Sequence, residues 1–330
     1  MGWSPSAPAA FGSISWGGDA TQIPSEGWEL LLLLARLDSD KAGPMVDAAF
    51  ISFLRFLPKN SLSRLVGRIT RLEGGKTAHQ LAIRAFCQQY DVAVEEAELP
   101  IEAYPTFASF FTRRLRPGAR PIVEGEDVPV SPVDGAVSHA GIATAGELIQ
   151  AKGKSYTVEK LLGDVTEAER FRGGAYATLY LSPRDYHRIH TPLGGKIVGY
   201  RYLPGALWPV NRPSVQNVPE LFAVNERLIT YLDTPLGEVA VVAVGATCVG
   251  RIRALYDEIL TNEKKPLKSH RYETPIPIGK GEELAVFEMG STVILLFEPG
   301  RVELDPRLVP GAVVRMGERI GKRASEEVAS

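Results

Sequence analysis

The chain has 330 residues, 45% of them hydrophobic, and a formal net charge of -2. That length and apolar content can bury a sizeable core, read as one main domain with a smaller attachment, and the balanced charge excludes a global attraction to nucleic acid. Two cysteines, Cys87 and Cys248, lie far apart without metal-type spacing, which excludes a disulfide framework and a zinc motif and fits a reduced compartment.

Residues 1–27 are rich in Ser, Gly, Ala and Pro and have no basic leader region, so a loosely ordered extension is expected there and a secretory signal is not. Residues 28–116 read as helical. The apolar bursts at 30–35 and 45–57 are each too short to span a bilayer. After Asn60-Ser61 a helix is predicted with Leu62, Leu65, Val66 and Ile69 on one face and Arg64, Arg68 and Arg71 largely off it. Arg55 and Lys59 extend the positive neighbourhood. Two readings satisfy this pattern: an amphipathic platform on an anionic membrane surface, and an ordinary helical subdomain packed on the protein. Residues 81–90 continue helical, and 104–115, with Phe107, Phe110 and Phe111, read as one more helix. The stretch Arg116-Pro117-Gly118-Ala119-Arg120-Pro121 breaks the pattern, and the boundary with a C-terminal domain, 117–330, is drawn there.

Beyond it the chain reads as β structure punctuated by Gly and Pro. Strands are predicted at 175–181, 196–202, 228–232, 239–244 and 312–315, with a short helix at 156–162. No repeated βαβ pattern, GxGxxG or P-loop is present, which disfavours nucleotide-binding α/β folds. The expected class is α+β: an N-terminal helical membrane-associating region followed by a mainly β domain, a sandwich or a partly closed barrel.

The chemistry centres on Phe287-Glu288-Met289-Gly290-Ser291-Thr292, which leads into a continuous apolar run at 293–297 that reads as a buried strand. Gly290 lacks a Cβ and leaves its carbonyl open to close approach, and Ser291 places a hydroxyl directly after it. Attack of that hydroxyl on the Gly290 carbonyl would move the chain from amide to ester; a small-residue turn entering a strand is the plain alternative. Of five histidines, His79, His139, His187, His190 and His270, two fall in Leu181-Ser182-Pro183-Arg184-Asp185-Tyr186-His187-Arg188-Ile189-His190, a polar loop of the kind that forms sites. The H-x-x-H pair lacks a third ligand cluster of matching spacing, so no metal is expected. Asp134 opens a strand in the turn Ser131-Pro132-Val133-Asp134-Gly135. Asp134, a histidine and Ser291 together supply the three roles of an activated hydroxyl: orienting carboxylate, base and nucleophile.

These residues carry a resemblance. Gly290-Ser291-Thr292, Asp134-Gly135 and the Asp185–His190 loop resemble the phosphatidylserine decarboxylase proenzymes of bacteria. So do Leu57-Pro58-Lys59-Asn60, Phe110-Phe111-Thr112-Arg113-Arg114-Leu115, Asn217-Val218-Pro219-Glu220-Leu221-Phe222-Ala223-Val224-Asn225-Glu226-Arg227 and Val244-Gly245-Ala246-Thr247-Cys248-Val249-Gly250, although Cys248 stands where asparagine is expected and Met289 where many relatives have leucine. The similarity runs from about residue 50 to about residue 322.

The resemblance implies self-cleavage between Gly290 and Ser291, with Ser291 as nucleophile, His190 as base and Asp134 orienting it. A β chain (1–290) and an α chain (291–330) would result. Ser291 would become a covalent pyruvoyl cofactor that forms a Schiff base with phosphatidylserine, releasing CO2 and phosphatidylethanolamine, with His187 donating the proton. The implied partners are phosphatidylserine in an anionic membrane and the two chains of one proenzyme, with a homodimer left open and no nucleic acid. The implied location is peripheral, on the cytoplasmic face of the cell membrane. A serine hydrolase using the same three residues is the rival enzyme reading, but Glu288 and Thr292 occupy both glycine positions of its G-x-S-x-G elbow. A noncatalytic membrane-binding β domain would leave the Asp, His and Gly-Ser constellation unexplained.

Overall fold

A computed structural model of the chain describes residues 59–72, 75–151, 153–247, 251–263, 265–288 and 291–325, all within one compact unit. The apolar bursts at 30–35 and 45–57, Arg55, Cys248, Met289 and Gly290 lie outside these residues.

Among the described residues three α-helices come first: α1 (Lys59–Ile69), α2 (Lys76–Tyr90) and α3 (Phe107–Phe111). The strands then follow as β1 (Gly135–Ile142), β2 (Glu147–Ala151), β3 (Lys154–Thr157), β4 (Ala175–Leu181), β5 (Arg188–His190), β6 (Gly195–Leu203), β7 (Arg227–Thr234), β8 (Gly237–Val244), β9 (Ile252–Ala254), β10 (Lys268–Ile278), β11 (Glu283–Phe287), β12 (Ser291–Phe297), β13 (Val302–Leu304), β14 (Val313–Val314) and β15 (Gly321–Arg323). Helices α4 (Val158–Leu162) and α5 (Val165–Phe171) lie between β3 and β4, and α6 (Arg212–Asn217) and α7 (Leu221–Val224) between β6 and β7.

Eight strands form one antiparallel sheet in the order β10-β6-β7-β8-β12-β4-β1-β14, and β5-β11-β9 form a second. Among the described residues the large sheet is open, with β10 and β14 at its edges, so no closed barrel forms. Pro275 and Pro277 sit on the β10 edge, where a missing N–H costs no internal ladder bond and discourages pairing with another chain.

Strand β12 occupies the interior of this sheet and is apolar on both faces because both faces are covered. Val293, Leu295 and Phe297 join the core shared with Ile189, Ala285 and Phe287 of the three-stranded sheet. Ile294 and Leu296 point the other way, into a core with Leu161, Leu162, Phe171 and Phe222 of the helices. Each such buried side chain stabilises the fold by about 1.5–3 kcal/mol.

The predicted strands all form: 175–181 with the same bounds, 196–202, 228–232 and 239–244 extended by one or two residues at one or both ends, and 312–315 shortened to two residues. The helix at 156–162 begins late because Lys154–Thr157 pairs with β2, after which Thr157 caps the Lys160 N–H at 3.1 Å. The helix expected over 104–115 is only the five residues of α3. Thr106 and Ser109 form a reciprocal cap at its start, and Leu115 leaves it to bridge Ala97.

Helix α1 corrects the predicted face. Val66 is buried beside Ser63 and Thr70, whereas Leu65 is 53% exposed. Ser63, Val66 and Thr70 are spaced three and four residues apart and so share one face, which turns inward and leaves the neighbouring Leu65 outside it. The inward stripe is instead small and polar, which lets the Thr70 carbonyl accept the Ala108 N–H at 3.1 Å.

Candidate active site

Four strands meet at one end of the large sheet. Ser291, the first residue of β12, lies opposite Leu181, the last of β4. Thr292 lies opposite Val244, the last of β8, and Val244 opposite Arg227, the first of β7. The loop after β4 and the loop after β8 therefore leave the sheet beside the start of β12.

After β4 the chain makes a tight turn in which Ser182 N–H donates to Asp185 Oδ2 at 2.7 Å and Asp185 N–H to the Ser182 carbonyl at 2.9 Å. Burial raises the Asp185 carboxyl above its usual range. The turn delivers His187, which is fully buried with its ring centroid 4.1 Å from that of Phe111. Its Nδ1 donates to the Asp185 carbonyl at 2.8 Å, which fixes the tautomer, and its Nε2 has no partner among the described residues. Burial, with Arg113 nearby, lowers its pKa to about 3, so the ring is neutral with an open lone pair. The His187 carbonyl accepts the Phe287 N–H at 3.0 Å, tying the turn to the strand that leads toward position 291.

His190 closes β5, opposite Glu283 of β11. Its Nδ1 donates to the Gly281 carbonyl at 2.7 Å, and its Nε2 accepts from the Tyr186 hydroxyl at 3.1 Å. Burial lowers its pKa, against the Gly281 carbonyl and the negative charges of Glu283 and Asp134. Its backbone N–H donates to the Pro132 carbonyl at 2.9 Å, which places the Ser131–Asp134 turn alongside.

Asp134 is buried but bonds elsewhere. Its carboxylate accepts Arg120 Nε at 2.9 and 3.0 Å, Arg120 Nη2 at 2.6 Å and the Met316 N–H at 2.8 Å. The glycine after it is required: a Cβ on Gly135 would lie 2.4 Å from the Tyr180 carbonyl oxygen. Asp134 and His190 are thus joined through the backbone of one turn, and no hydrogen bond links their side chains among the described residues.

Sequence reasoning passed over Arg120, Tyr186 and Gly281. Arg120 falls in a Pro- and Gly-rich stretch that signals a boundary, while Tyr186, between two histidine candidates, had position as its one available signal. The motif Asn225-Glu226-Arg227 proves largely architectural. Asn225 braces Trp208 and Gly245, and Arg227 binds the Leu161 and Lys160 carbonyls at 2.6 and 2.7 Å.

A family model described as "Phosphatidylserine decarboxylase" matches residues 107–322, from α3 to β15. The chain belongs to the phosphatidylserine decarboxylase family. It is 58% identical over 277 residues to the phosphatidylserine decarboxylase proenzyme of Myxococcus xanthus (strain DK1622), covering 84% of this chain and 99% of that one. To the proenzyme of the same name from Anaeromyxobacter sp. (strain K) it is 58% identical over 283 residues, 85% of this chain and 100% of that one. The proenzyme from Brevibacillus brevis (strain 47 / JCM 6285 / NBRC 100599) is 45% identical over 270 residues, 81% of this chain and 95% of that one. The matched span of the decarboxylase model takes in Asp134, His187, His190 and Ser291, and also Arg113, Arg120 and Tyr186.

Proposed function

We propose that the chain is a self-processing phosphatidylserine decarboxylase, a lyase, whose Ser291 becomes its pyruvoyl cofactor. The observation that carries this reading is the meeting of β12, which begins at Ser291, with the turn that presents His187 and His190, in a chain of this family. The residues present fit such a group: His187 Nε2 is a buried polar atom without a partner among the described residues, on the turn that leaves the sheet beside the start of β12.

In maturation, the Ser291 hydroxyl attacks the Gly290 carbonyl, and the peptide becomes an ester. His190 takes the hydroxyl proton: its Nδ1–H is committed to the Gly281 carbonyl, which leaves Nε2 as the basic nitrogen, now shared with Tyr186. Asp134 supports this from the adjoining turn, its carboxylate fixed by Arg120 while Pro132 holds the His190 backbone. Elimination from the ester releases residues 1–290 as the β chain and leaves dehydroalanine at position 291, which takes up water and loses ammonia to give the pyruvoyl N-terminus of the α chain, 291–330.

A pyruvoyl carbonyl supplies the electron sink that loss of CO2 from an amino acid requires. His187 protonates the carbon that loses CO2. Because burial keeps its Nε2 bare in the absence of substrate, the negative charge that substrate brings is what makes this nitrogen basic enough to carry the proton.

Phosphatidylserine resides in a bilayer, and no helix among the described residues is long and apolar enough to cross one. The enzyme works from the surface of an anionic membrane, on its cytoplasmic face. Exposed Leu65, Leu72 and Leu81, with Arg68 on the outer side of α1, supply apolar and cationic contacts for it.

The test is mass analysis of the purified protein with CO2 release from phosphatidylserine vesicles. Two chains divided at 290/291, a carbonyl-reactive new N-terminus and CO2 release are expected, and Ser291→Ala should remain one chain without that carbonyl. A Ser291→Ala preparation that still divides there would sink the assignment.

A further inference from the structure

Arg113 is 4% exposed, yet it has no carboxylate partner among the described residues. One nitrogen, Nη2, donates to the Arg184 carbonyl at 3.1 Å, while Nε and Nη1 are buried with no hydrogen-bond partner among the described residues. The guanidinium lies over the Phe110 ring, 5.0 Å from its centroid. Arg120, by contrast, meets two carboxylates, Asp134 and Glu96. A desolvated cation costs several kcal/mol unless a partner compensates it, so one that persists unpaired among the described residues points to a partner from outside them.

The position of Arg113 says where that partner comes from. Arg113 and His187 hold consecutive carbonyls of the turn after β4, those of Arg184 and Asp185. Phe111, two residues before Arg113, packs on the His187 ring. Both side chains therefore leave nitrogen atoms buried and unused on one wall of the candidate active site: Nε and Nη1 of the arginine, Nε2 of the histidine.

We propose that Arg113 is an anion-binding residue of the substrate site, its free N–H pair receiving anionic oxygens of the phosphatidylserine headgroup. The proposal rests on the decarboxylase reading. The headgroup carries two groups with this chemistry, the phosphodiester and the serine carboxylate, and either presents paired oxygens to the planar N–H fork. A guanidinium held on the carboxylate would stabilise the charge that must leave as CO2, whereas one held on the phosphodiester anchors the substrate without opposing the reaction.

The test measures calorimetric affinity of the processed protein for two soluble fragments whose blocked amines cannot condense with a carbonyl. N-acetyl-glycerophosphoserine carries both anionic groups, and N-acetyl-glycerophosphoethanolamine only the phosphodiester. Arg113→Gln should weaken binding roughly ten- to a hundred-fold, the range for charged hydrogen bonds, and raise KM for phosphatidylserine more than it lowers kcat. Loss with both fragments assigns the phosphodiester, and loss with the serine fragment alone assigns the carboxylate. If Arg113→Gln fails to process, Arg113→Lys, which keeps the charge but not the fork, replaces it, with several-fold weaker binding expected. Unchanged affinity for both fragments in a processed variant, with a parent that releases CO2, overturns the anion site alone. A parent that releases no CO2 from phosphatidylserine overturns the reading beneath it.

Discussion

Arg120 and Asp134 should be energetically coupled, and the coupling can be measured apart from catalysis. Their side chains are 7% and 8% exposed and share three contacts of 2.6–3.0 Å. Arg120→Gln removes the cation and leaves a buried carboxylate with one N–H donor from Met316, which should cost about 3–5 kcal/mol. Asp134→Asn keeps the shape but takes one anion from the guanidinium, leaving it Glu96 and the Ala119 carbonyl, and should cost about 1.5–3 kcal/mol. Because each variant loses the same interaction, the double variant should fall short of the sum by at least about 1.5 kcal/mol. The measurement is urea unfolding of the four chains in a Ser291→Ala background, where no cleavage divides the chain. Costs that add to within about 0.5 kcal/mol would refute the pairing, because uncoupled sites behave that way. In chains that keep Ser291, both single variants should slow self-cleavage, as expected if Asp134 supports His190 only while Arg120 holds it.

His190→Ala should block division of the chain, whereas His187→Ala should still divide, at least in part, and release CO2 poorly; the opposite pattern on a gel would reverse the two roles. For pH, the folded chain holds His187 near a pKa of about 3 against 6.5 for a free histidine. The unfolded chain therefore binds the extra proton between those values. Stability should fall by about 1.4 kcal/mol per unit as pH drops from about 6.5 toward 3, with no contribution above, and His187→Gln should flatten that slope; equal slopes in the two chains would dismiss the cause. Arg68→Glu combined with Leu65→Ser and Leu72→Ser should weaken flotation with anionic vesicles at low salt, by about 1 kcal/mol for the lost cation alone, and leave self-cleavage intact. Equal flotation of variant and parent would show that this face of α1 does not touch the membrane.

Much of this arrangement was legible because periodicity and small-residue punctuation report local conformation. The run at 293–297 could be recognised as a buried strand because both its faces are covered, which removes the alternation a half-exposed strand would show. The histidine loop could be recognised because polar residues crowd between a strand and a turn. Contacts between residues distant in the chain were not legible. Nothing local to Arg120 announces that it reaches Asp134, and nothing local to Gly281 announces that its carbonyl holds His190. The inward side of α1 was not legible for a related reason. Hydrophobicity alone favours Leu65 as the inward residue, but the close approach of Thr70 to α3 selects small side chains on that side. The barrel alternative was equally open to local patterning, because closure depends on whether the edge strands β10 and β14 meet.

The site also draws on residues from before the boundary at 116/117. Phe111 packs on His187, Arg113 grips its turn, and the Thr112 carbonyl accepts Arg188 Nε at 3.0 Å. Further upstream, Arg71, just beyond α1, meets Glu288 at 2.6 Å, with Arg251 on the same carboxylate at 3.7 Å. Glu288 stands two residues before Gly290, so a contact made from the end of α1 bears on the segment that leads to the proposed cleavage site. Arg71 is therefore unsuited to probing membrane attachment: reversing its charge would set two carboxylates together beside the site and disturb cleavage as well. Arg68, exposed in the last turn of α1, carries the membrane question without that complication. The helical region thus has two faces, one bracing the segment before the proposed cleavage site and one turned outward with Leu65 and Arg68.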